Sequence, residues 1–227
     1  MVSILAFDSA GHGCSAAVLH HGRLVARRSA AMERGQTEAL MPMIEAVLAE
    51  SELASGDLDV IAVTVGPGAF TGLRIALAAA HGLALATGRP LLGITNFAAV
   101  AAQVPPSALA GRRLVVALDS KRRELYLQAF NTDRTPEGEG ALVAPEAFSA
   151  WVPEGPLIVA GDGALRLASV LGADRARLAP GSGMADAADV ARLAAATWQP
   201  GVQPARPRPL YLRPADTTLP RPSFARP

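Results

Sequence analysis

Short apolar runs separated by turn residues dominate the first half of this chain, and one long apolar segment follows them. Alternating or continuous apolar runs of four to eight residues predict strands, and apolar positions at three- and four-residue spacing predict helices. The predicted elements are strands over 3–9, 15–20 and 23–31, a helix over 36–50, a strand over 60–65, a helix over 70–87, a strand over 91–94 and a helix through 103, with Thr95 as its N-cap. This order is an antiparallel meander that continues into parallel crossover units.

The same order returns more weakly in the second half. Strands are predicted over 114–119, 124–130 and 157–160, and helices over 163–171 and 185–198. The Pro-, Ala- and Gly-rich stretch 104–113 is the predicted junction. We therefore expect an N-terminal lobe over 1–103, a reduced C-terminal lobe over 104–199, and a Pro-rich tail over 200–227 without regular structure, except around 209–213.

Composition narrows the class of protein. The 227 residues are 50% hydrophobic and carry a formal net charge of +1, so no global field draws the chain to nucleic acid or anionic membrane. Cys14 is the only cysteine, which excludes an internal disulfide. The N-terminus lacks a signal-peptide pattern, and the apolar stretch 75–86, interrupted by His81, is too short for a membrane span. We expect a cytoplasmic protein without membrane contact.

Two glycine-rich turns resemble phosphate-binding loops. Gly11 to Ala16 matches the loose dinucleotide fingerprint, but a strand follows it instead of a helix, so we reject that assignment. The turn Gly66 to Gly72 lies between a strand and a helix, but it matches neither the dinucleotide fingerprint nor a P-loop. Two interpretations stay open for it: an anion site at the helix start, or a tight reversal of the chain.

The helix after that turn is unusually apolar. Between Phe70 and Leu85 only Thr71, Arg74 and His81 are polar, although a helix on a sheet should show a polar face. A partner surface is one explanation, and mutual burial of two helices inside one lobe is the other. The residues predicted for a partner interface are Ala39, Met43 and Val47 of the first helix and Gly72, Leu73, Ala76, Ala80 and Ala84 of the second.

Candidate chemistry is sparse. No histidine pair has metal-ligand spacing on a helix, and no nucleophile motif stands out, so we predict no metal site and no catalytic residue. Carboxylates recur at two strand ends, at Asp8-Ser9 and at Asp119-Ser120-Lys121. With Gly68, they could form a nucleotide cleft between the halves, or each could cap its own turn.

The motifs quoted above resemble the bacterial TsaB (YeaZ) family of tRNA threonylcarbamoyladenosine biosynthesis proteins. The resemblance rests on residues 4–9, 14–18, 66–74, 119–126 and 209–214, and it covers nearly the whole chain. It implies an α/β, actin-like and RNase H-related fold of two lobes. It also implies a non-catalytic subunit that binds the catalytic subunit TsaD through its two N-lobe helices.

Further expectations follow from the same resemblance. TsaD, TsaB and the ATPase TsaE together modify adenosine 37 of tRNA, so a TsaE-like ATPase and tRNA bound only through the complex are implied partners. A homodimer through the same helices is a further expectation. No cofactor is firmly implied, and ATP or ADP binding in the degenerate cleft stays open.

Two other functions remain as alternatives. The first is an autonomous nucleotide-dependent transferase or glycoprotease-like hydrolase that uses Asp8 and Asp119 across the cleft. Against this alternative, the chain lacks the His-x-x-x-His metal pair that the catalytic paralogue carries. The second is a tRNA-binding module, whose basic residues are Arg112, Arg113, Lys121, Arg122 and Arg123 and the arginines of the C-terminal tail.

Overall fold

The apolar runs of the first half assemble into one mixed sheet. In the computed structural model, which describes residues 2–181 and 183–213, the strands are β1 (Ser3–Asp8), β2 (Gly13–His20), β3 (Arg23–Ala31), β4 (Val60–Thr64) and β5 (Leu91–Ile94). They lie in the order β3-β2-β1-β4-β5, with β1 to β3 antiparallel and β4 and β5 parallel to β1. Both central strands β1 and β4 are buried along their whole length, as an interior strand requires.

The second half builds a sheet with the same connectivity. Its strands are β6 (Arg113–Asp119), β7 (Leu125–Phe130), β8 (Pro136–Val143), β9 (Leu157–Ala160) and β10 (Ala176–Leu178), in the order β10-β9-β6-β7-β8. Here β6 takes the place of β1, and β9 and β10 run parallel to it. The chain therefore has the predicted actin-like α/β fold of two related lobes.

The helices complete the two lobes. They are α1 (Gln36–Ser51), α2 (Phe70–Thr87), α3 (Asn96–Gln103), α4 (Pro106–Leu109), α5 (Phe148–Trp151), α6 (Ala164–Leu171) and α7 (Ala187–Thr197). In the first lobe, α1 and α2 cover one face of the sheet, and α3 and α7 cover the other. The Thr95 hydroxyl accepts a hydrogen bond of 3.1 Å from the amide of Ala98, which confirms the predicted N-cap of α3.

The structure differs from the sequence prediction in several elements. The sequence pattern predicts neither strands β8 and β10 nor the short helices α4 and α5, and the second lobe is reduced in its helices and not in its sheet. Helix α1 begins at Gln36 and keeps Pro42 inside it, so its first turn is regular. Helix α7 follows the second sheet in the chain but packs on β1 and β2 of the first, so the chain crosses back between the lobes.

The C-terminal segment forms no helix or strand over residues 198–213, yet it touches both lobes. Pro207 is buried against Gly93 of β5, and the amide of Leu210 donates a 2.7 Å hydrogen bond to the carbonyl of Val65. Arg213 then pairs with Glu124 of the second lobe at 3.1 Å. We call residues 203–213 the C-terminal strap. The rest of the predicted Pro-rich tail, 214–227, lies outside the described residues.

Within the described ranges, α2 is the one helix with the length and composition of a membrane span. Five of its 18 residues are buried, all on the side that packs against the sheet and α1 of the first lobe. A single such helix is weak evidence for a membrane, because a helix of a soluble protein passes the same test.

Candidate partner interface and inter-lobe cleft

The glycine turn before α2 packs against the end of β1. The Ala69 amide donates a 2.8 Å hydrogen bond to the carbonyl of Ala10, and the amide of Gly66 donates one of 2.9 Å to the side chain of Asn96. A Cβ on Gly68 would lie 2.4 Å from the Ala10 oxygen, and one on Gly72 would lie 1.9 Å from the Ser9 oxygen. Glycine is required there because the two backbones touch. The contacts favour the chain reversal over the anion site.

Asp8 is a buried hydrogen-bond acceptor at the end of β1. Its Oδ1 accepts hydrogen bonds from the Thr64 hydroxyl, from the Asn96 side-chain amide at 3.2 Å and from the Ala10 backbone amide at 3.1 Å. Burial raises the pKa of this carboxyl, while its hydrogen bonds act in the opposite direction. Asp8 therefore ties β1, β4 and α3 together from inside the first lobe.

The space beside Asp8 is small. It is a cavity of about 20 Å³ shared with Gly11, His12 and Cys14, which is close to the room needed by one water molecule. Neighbouring Ser9 is fully buried, and its hydroxyl donates a 2.7 Å hydrogen bond to the carbonyl of Gly72. In this conformation Ser9 holds the glycine turn directly, and the cavity beside Asp8 is too small for a nucleotide.

Asp119 and Lys121 lie instead at the surface between the lobes. The Asp119 carboxylate pairs with Arg166 at 3.1 Å and with the Lys121 ammonium at 3.5 Å. Lys121 also contacts the His12 ring, which belongs to the loop between β1 and β2 of the first lobe. In the described part of the chain, Asp8 and Asp119 share no hydrogen-bond partner, so the structure does not join them into one site.

A third strand-end carboxylate, which the sequence analysis missed, completes this polar cluster. Asp162 follows β9, accepts the Asp119 backbone amide at 2.8 Å and lies 3.9 Å from the His12 ring. Burial raises the pKa of Asp162, against the lowering effect of that hydrogen bond and of Lys121. The signal was present in the sequence, because Gly161-Asp162-Gly163 ends a predicted strand as Asp8 does.

Most residues predicted for the partner interface lie inside the first lobe. Val47, Leu73, Ala76 and Ala80 are at most 1% exposed and belong to the core between α1, α2 and the sheet, and Gly72 is buried against Ser9. Their side chains are not available to a partner in this structure. Ala39, Met43 and Ala84 are half-buried at the edge of the same core and remain candidates.

The opposite side of α2 is exposed and almost without charge. The exposed residues of α2 are Phe70, Thr71, Arg74, Ala78, Gly82, Leu85 and Ala86. Leu85 is 87% exposed and Phe70 is 54% exposed. Arg74 is the one charged residue of the helix, and its guanidinium carbon lies 3.8 Å from the centre of the Phe70 ring.

The exposed side of α1 continues this surface. Met41 is 39% exposed, and Glu38 and Glu45 are exposed beside it. We call the exposed sides of α1 and α2 together the outer helix face. It is an apolar helical surface that the first lobe leaves exposed, and such a surface is typical of a protein interaction site.

Among residues 2–181 and 183–213, no group of three or more His, Cys, Asp or Glu side chains is placed to hold a metal ion. Cys14 is buried at the start of β2, and burial together with nearby Asp8 raises the pKa of its thiol to about 11.

Comparison with known proteins agrees with this architecture. A family model described as "TsaD: tRNA N6-adenosine threonylcarbamoyltransferase" matches residues 30–169. The TsaB protein of Haemophilus influenzae is 34% identical over 125 residues, which are 55% of this chain and 52% of that protein. The TsaB protein of Escherichia coli is 31% identical over 147 residues, which are 63% of each chain. The matched region thus spans between half and two thirds of these curated relatives.

Two solved structures from Pseudomonas aeruginosa extend the match to nearly the whole chain. The structure titled YeaZ has a TM-score of 0.81 and 30% identity, and the match covers 93% of this chain and all (100%) of that one. A second, titled as an uncharacterised protein with similarity to peptidase YeaZ, has a TM-score of 0.79 at 30% identity, covering 94% of this chain and 100% of that one. The match in sequence, lobe topology and length shows that this chain belongs to the TsaB (YeaZ) family.

Proposed function

We propose that this chain is an accessory subunit in the biosynthesis of threonylcarbamoyladenosine in tRNA. Its curated relatives are named for that pathway, and the matching family model is named for the transferase TsaD. In this proposal the chain binds a TsaD-like catalytic subunit and supports its activity. A TsaE-like ATPase and tRNA join only through the complex, in the cytoplasm.

The outer helix face is the observation that supports this role best. Helix α2 has 18 residues, of which one is charged and only five are buried. It therefore exposes apolar surface that the fold of the lobe itself does not bury. Its middle is lined by small residues, Ala78, Gly82 and Ala86, which allow another helix to approach closely. The proposed interface is thus the side of α2 opposite the buried stripe Gly72-Ala76-Ala80.

A non-catalytic role is part of the proposal. Asp8 is sealed by three donors inside the lobe, and Asp119 is held by Arg166 and Lys121 at the surface. An acid that serves a nucleotide or a reacting group must reach it, and Asp8 faces a cavity for about one water molecule. These contacts favour a structural use of both carboxylates over the transferase or hydrolase alternative.

The test is binding to the TsaD-like protein of the same genome. Isothermal titration calorimetry with the wild-type chain should give a one-to-one complex, and Ala78→Glu should weaken it by about a hundredfold or abolish it, because a charge is desolvated at the centre of the interface. Ala196→Glu is the matched control, since Ala196 is also an exposed helical alanine and lies on α7. Circular dichroism checks that both variants are folded.

Two outcomes contradict the proposal. If Ala78→Glu binds the TsaD-like protein with the same Kd as the wild-type chain, the outer helix face is not the interface. Threonylcarbamoyladenosine formation by the TsaD-like protein, TsaE-like ATPase and tRNA, measured by nucleoside analysis, should require this chain. Equal product yield without it would remove the accessory role.

The outer helix face also offers a homodimer contact when the catalytic subunit is absent. Sedimentation at increasing protein concentration should then show a monomer–dimer equilibrium that Ala78→Glu shifts to the monomer. A wild-type monomer at all concentrations would exclude this homodimer without affecting the heterodimer.

A further inference from the structure

A groove of about 490 Å³ runs between the C-terminal half of α2 and the C-terminal strap. Ala84, Leu85 and Leu91 and the prolines at 90, 204 and 207 give it an apolar lining. Two arginines, Arg89 and Arg206, and His81 add basic groups, and no Asp or Glu lines it. A surface of this kind is complementary to an acidic ligand with an apolar part.

Two of the three basic side chains of the groove lack partners of their own among the described residues. The Nε of Arg89 is buried without a hydrogen bond, while its terminal nitrogen contacts the carbonyl of Gly56. Within residues 2–181 and 183–213, the side chains of Arg206 and His81 make no hydrogen bond or ion pair.

Gly82 lies on the α2 side of the groove, and the packing of this chain does not require a glycine at that position. A Cβ on Gly82 would meet nothing within 4 Å, in contrast to Gly72 of the same helix. Glycine inside a helix costs about 1 kcal/mol relative to alanine. Gly82 therefore leaves room for another backbone beside Leu85, the most exposed large apolar side chain of this helix.

We propose that the groove binds an extended acidic segment of the TsaD-like partner, which places a carboxylate between Arg89 and Arg206 and an apolar side chain on Leu85. This proposal rests on the proposed function, because the groove continues the outer helix face at Gly82 and Leu85. It adds a second contact of different chemistry, a charge-assisted hydrogen bond, at the C-terminal end of α2.

A peptide suits the groove better than RNA does. Single-stranded RNA is held by aromatic side chains that stack on bases and by several phosphate contacts. The groove has no Phe, Tyr or Trp in its lining, and its apolar lining consists of aliphatic side chains and prolines.

The first experiment measures the Kd for the TsaD-like protein with charge reversal at the groove. Arg206→Glu should weaken binding by about tenfold or more, and Arg206→Lys should keep most of the affinity. Arg177→Glu is the matched control, because Arg177 is an exposed arginine on β10 of the second lobe. The loss at Arg206→Glu should shrink as salt is raised.

The second experiment identifies the segment that binds. Lys121 is the only lysine of the chain, so Arg206→Lys places a single new amine in the groove. A carbodiimide couples an amine to a carboxylate it touches, and mass spectrometry of the complex should show residue 206 joined to an Asp or Glu of the partner.

The outcomes separate the two proposals. If Ala78→Glu abolishes binding and Arg206→Glu leaves the Kd unchanged, the outer helix face stands and the groove site is overturned. If the wild-type chain does not bind the TsaD-like protein, both fall. A cross-link to a second copy of this chain, or a loss of tRNA binding with an unchanged Kd for the TsaD-like protein, also overturns the groove site.

Discussion

The ring of Tyr211 stacks on the ring of Phe70 with centroids 5.6 Å apart and planes inclined by 29°. The Tyr211 hydroxyl oxygen accepts a 3.1 Å hydrogen bond from Arg74, whose guanidinium also covers the Phe70 ring. The first turn of α2 is thereby joined to the C-terminal strap, although 141 positions separate the two rings in the chain (211 − 70).

Loss of this stacking should loosen the strap. We expect Tyr211→Ala to lower the free energy of unfolding by about 0.5–1.5 kcal/mol, the range for an aromatic pair, and near the lower end because both rings are half exposed. Urea denaturation measures this. Val202→Ala, in an exposed position just before the strap, serves as the control and should change the free energy little. Equal values for the two variants would show that the stack adds nothing to stability.

Two glycines of α2 should respond to alanine in opposite ways. Gly72→Ala places a methyl group 1.9 Å from the Ser9 oxygen, so we expect a loss of about 3 kcal/mol or more in the free energy of unfolding. Gly82→Ala meets open space and should stabilise the isolated chain by about 0.5–1 kcal/mol. Thermal and urea unfolding of the two variants, measured side by side, check the signs. A neutral Gly72→Ala would contradict the close approach of α2 to β1.

The orientation of α2 is the point at which sequence reasoning reached its limit. The bounds Phe70 and Thr87 were predicted, because the glycine turn and Gly88 mark both ends. Alanine and glycine, however, recur on both sides of this helix, as Gly72-Ala76-Ala80 and as Ala78-Gly82-Ala86. A spacing of four residues defines a stripe but not the direction it faces, so the sequence pattern does not distinguish the buried stripe from the exposed one.

Strand β8 shows a second limit. Its sequence, Pro136 to Val143, contains two glycines and two glutamates and lacks both alternation and β-branched residues before Val143. It becomes a strand because β7 offers it a partner along the edge of the second sheet, and pairing of this kind overrides weak local preference. The predicted strand ends of β1 and β6, in contrast, located Asp8 and Asp119 correctly and left their solvent exposure undecided.

The pH dependence of stability should reveal the buried state of Asp8. Because its pKa is raised in the folded chain, the folded state binds the proton more tightly than the unfolded state, and ionisation of Asp8 costs stability as pH rises above about 4, the ordinary pKa. Asp8→Asn keeps the Oδ1 acceptor and removes the ionisation. Its Tm relative to wild type should therefore increase between about pH 4 and pH 7.

A variant that removes the acceptor separates charge from hydrogen bonding at this position. Asp8→Ala leaves the Thr64, Asn96 and Ala10 donors unpaired and should be destabilised at all pH values, by about 1–3 kcal/mol or more. If Asp8→Asn loses stability as pH rises in parallel with wild type, the titrating group is another one.

Cys14 should be unreactive in the folded protein. With a pKa of about 11 and 2% exposure, the thiol is protonated and covered at about pH 8, where a thiolate is needed for reaction with Ellman's reagent. We expect one thiol per chain to react after denaturation and almost none before. Rapid stoichiometric reaction of the native chain would show that the loop between β1 and β2 opens readily.

Helix α7 has a consequence for the order in which the chain is made. Its apolar residues Val190, Ala191 and Ala194 cover Ile4 and Ala6 of the first strand, and its N-terminal amide at Ala187 donates a 2.9 Å hydrogen bond to Ser15. On the ribosome, one side of the N-terminal sheet is therefore covered only in part, by α3, until about residue 197 has emerged, long after the sheet's own strands. A nascent chain of this protein must protect that surface through most of its synthesis, and truncation before Asp186 should yield aggregates in place of a free N-terminal lobe.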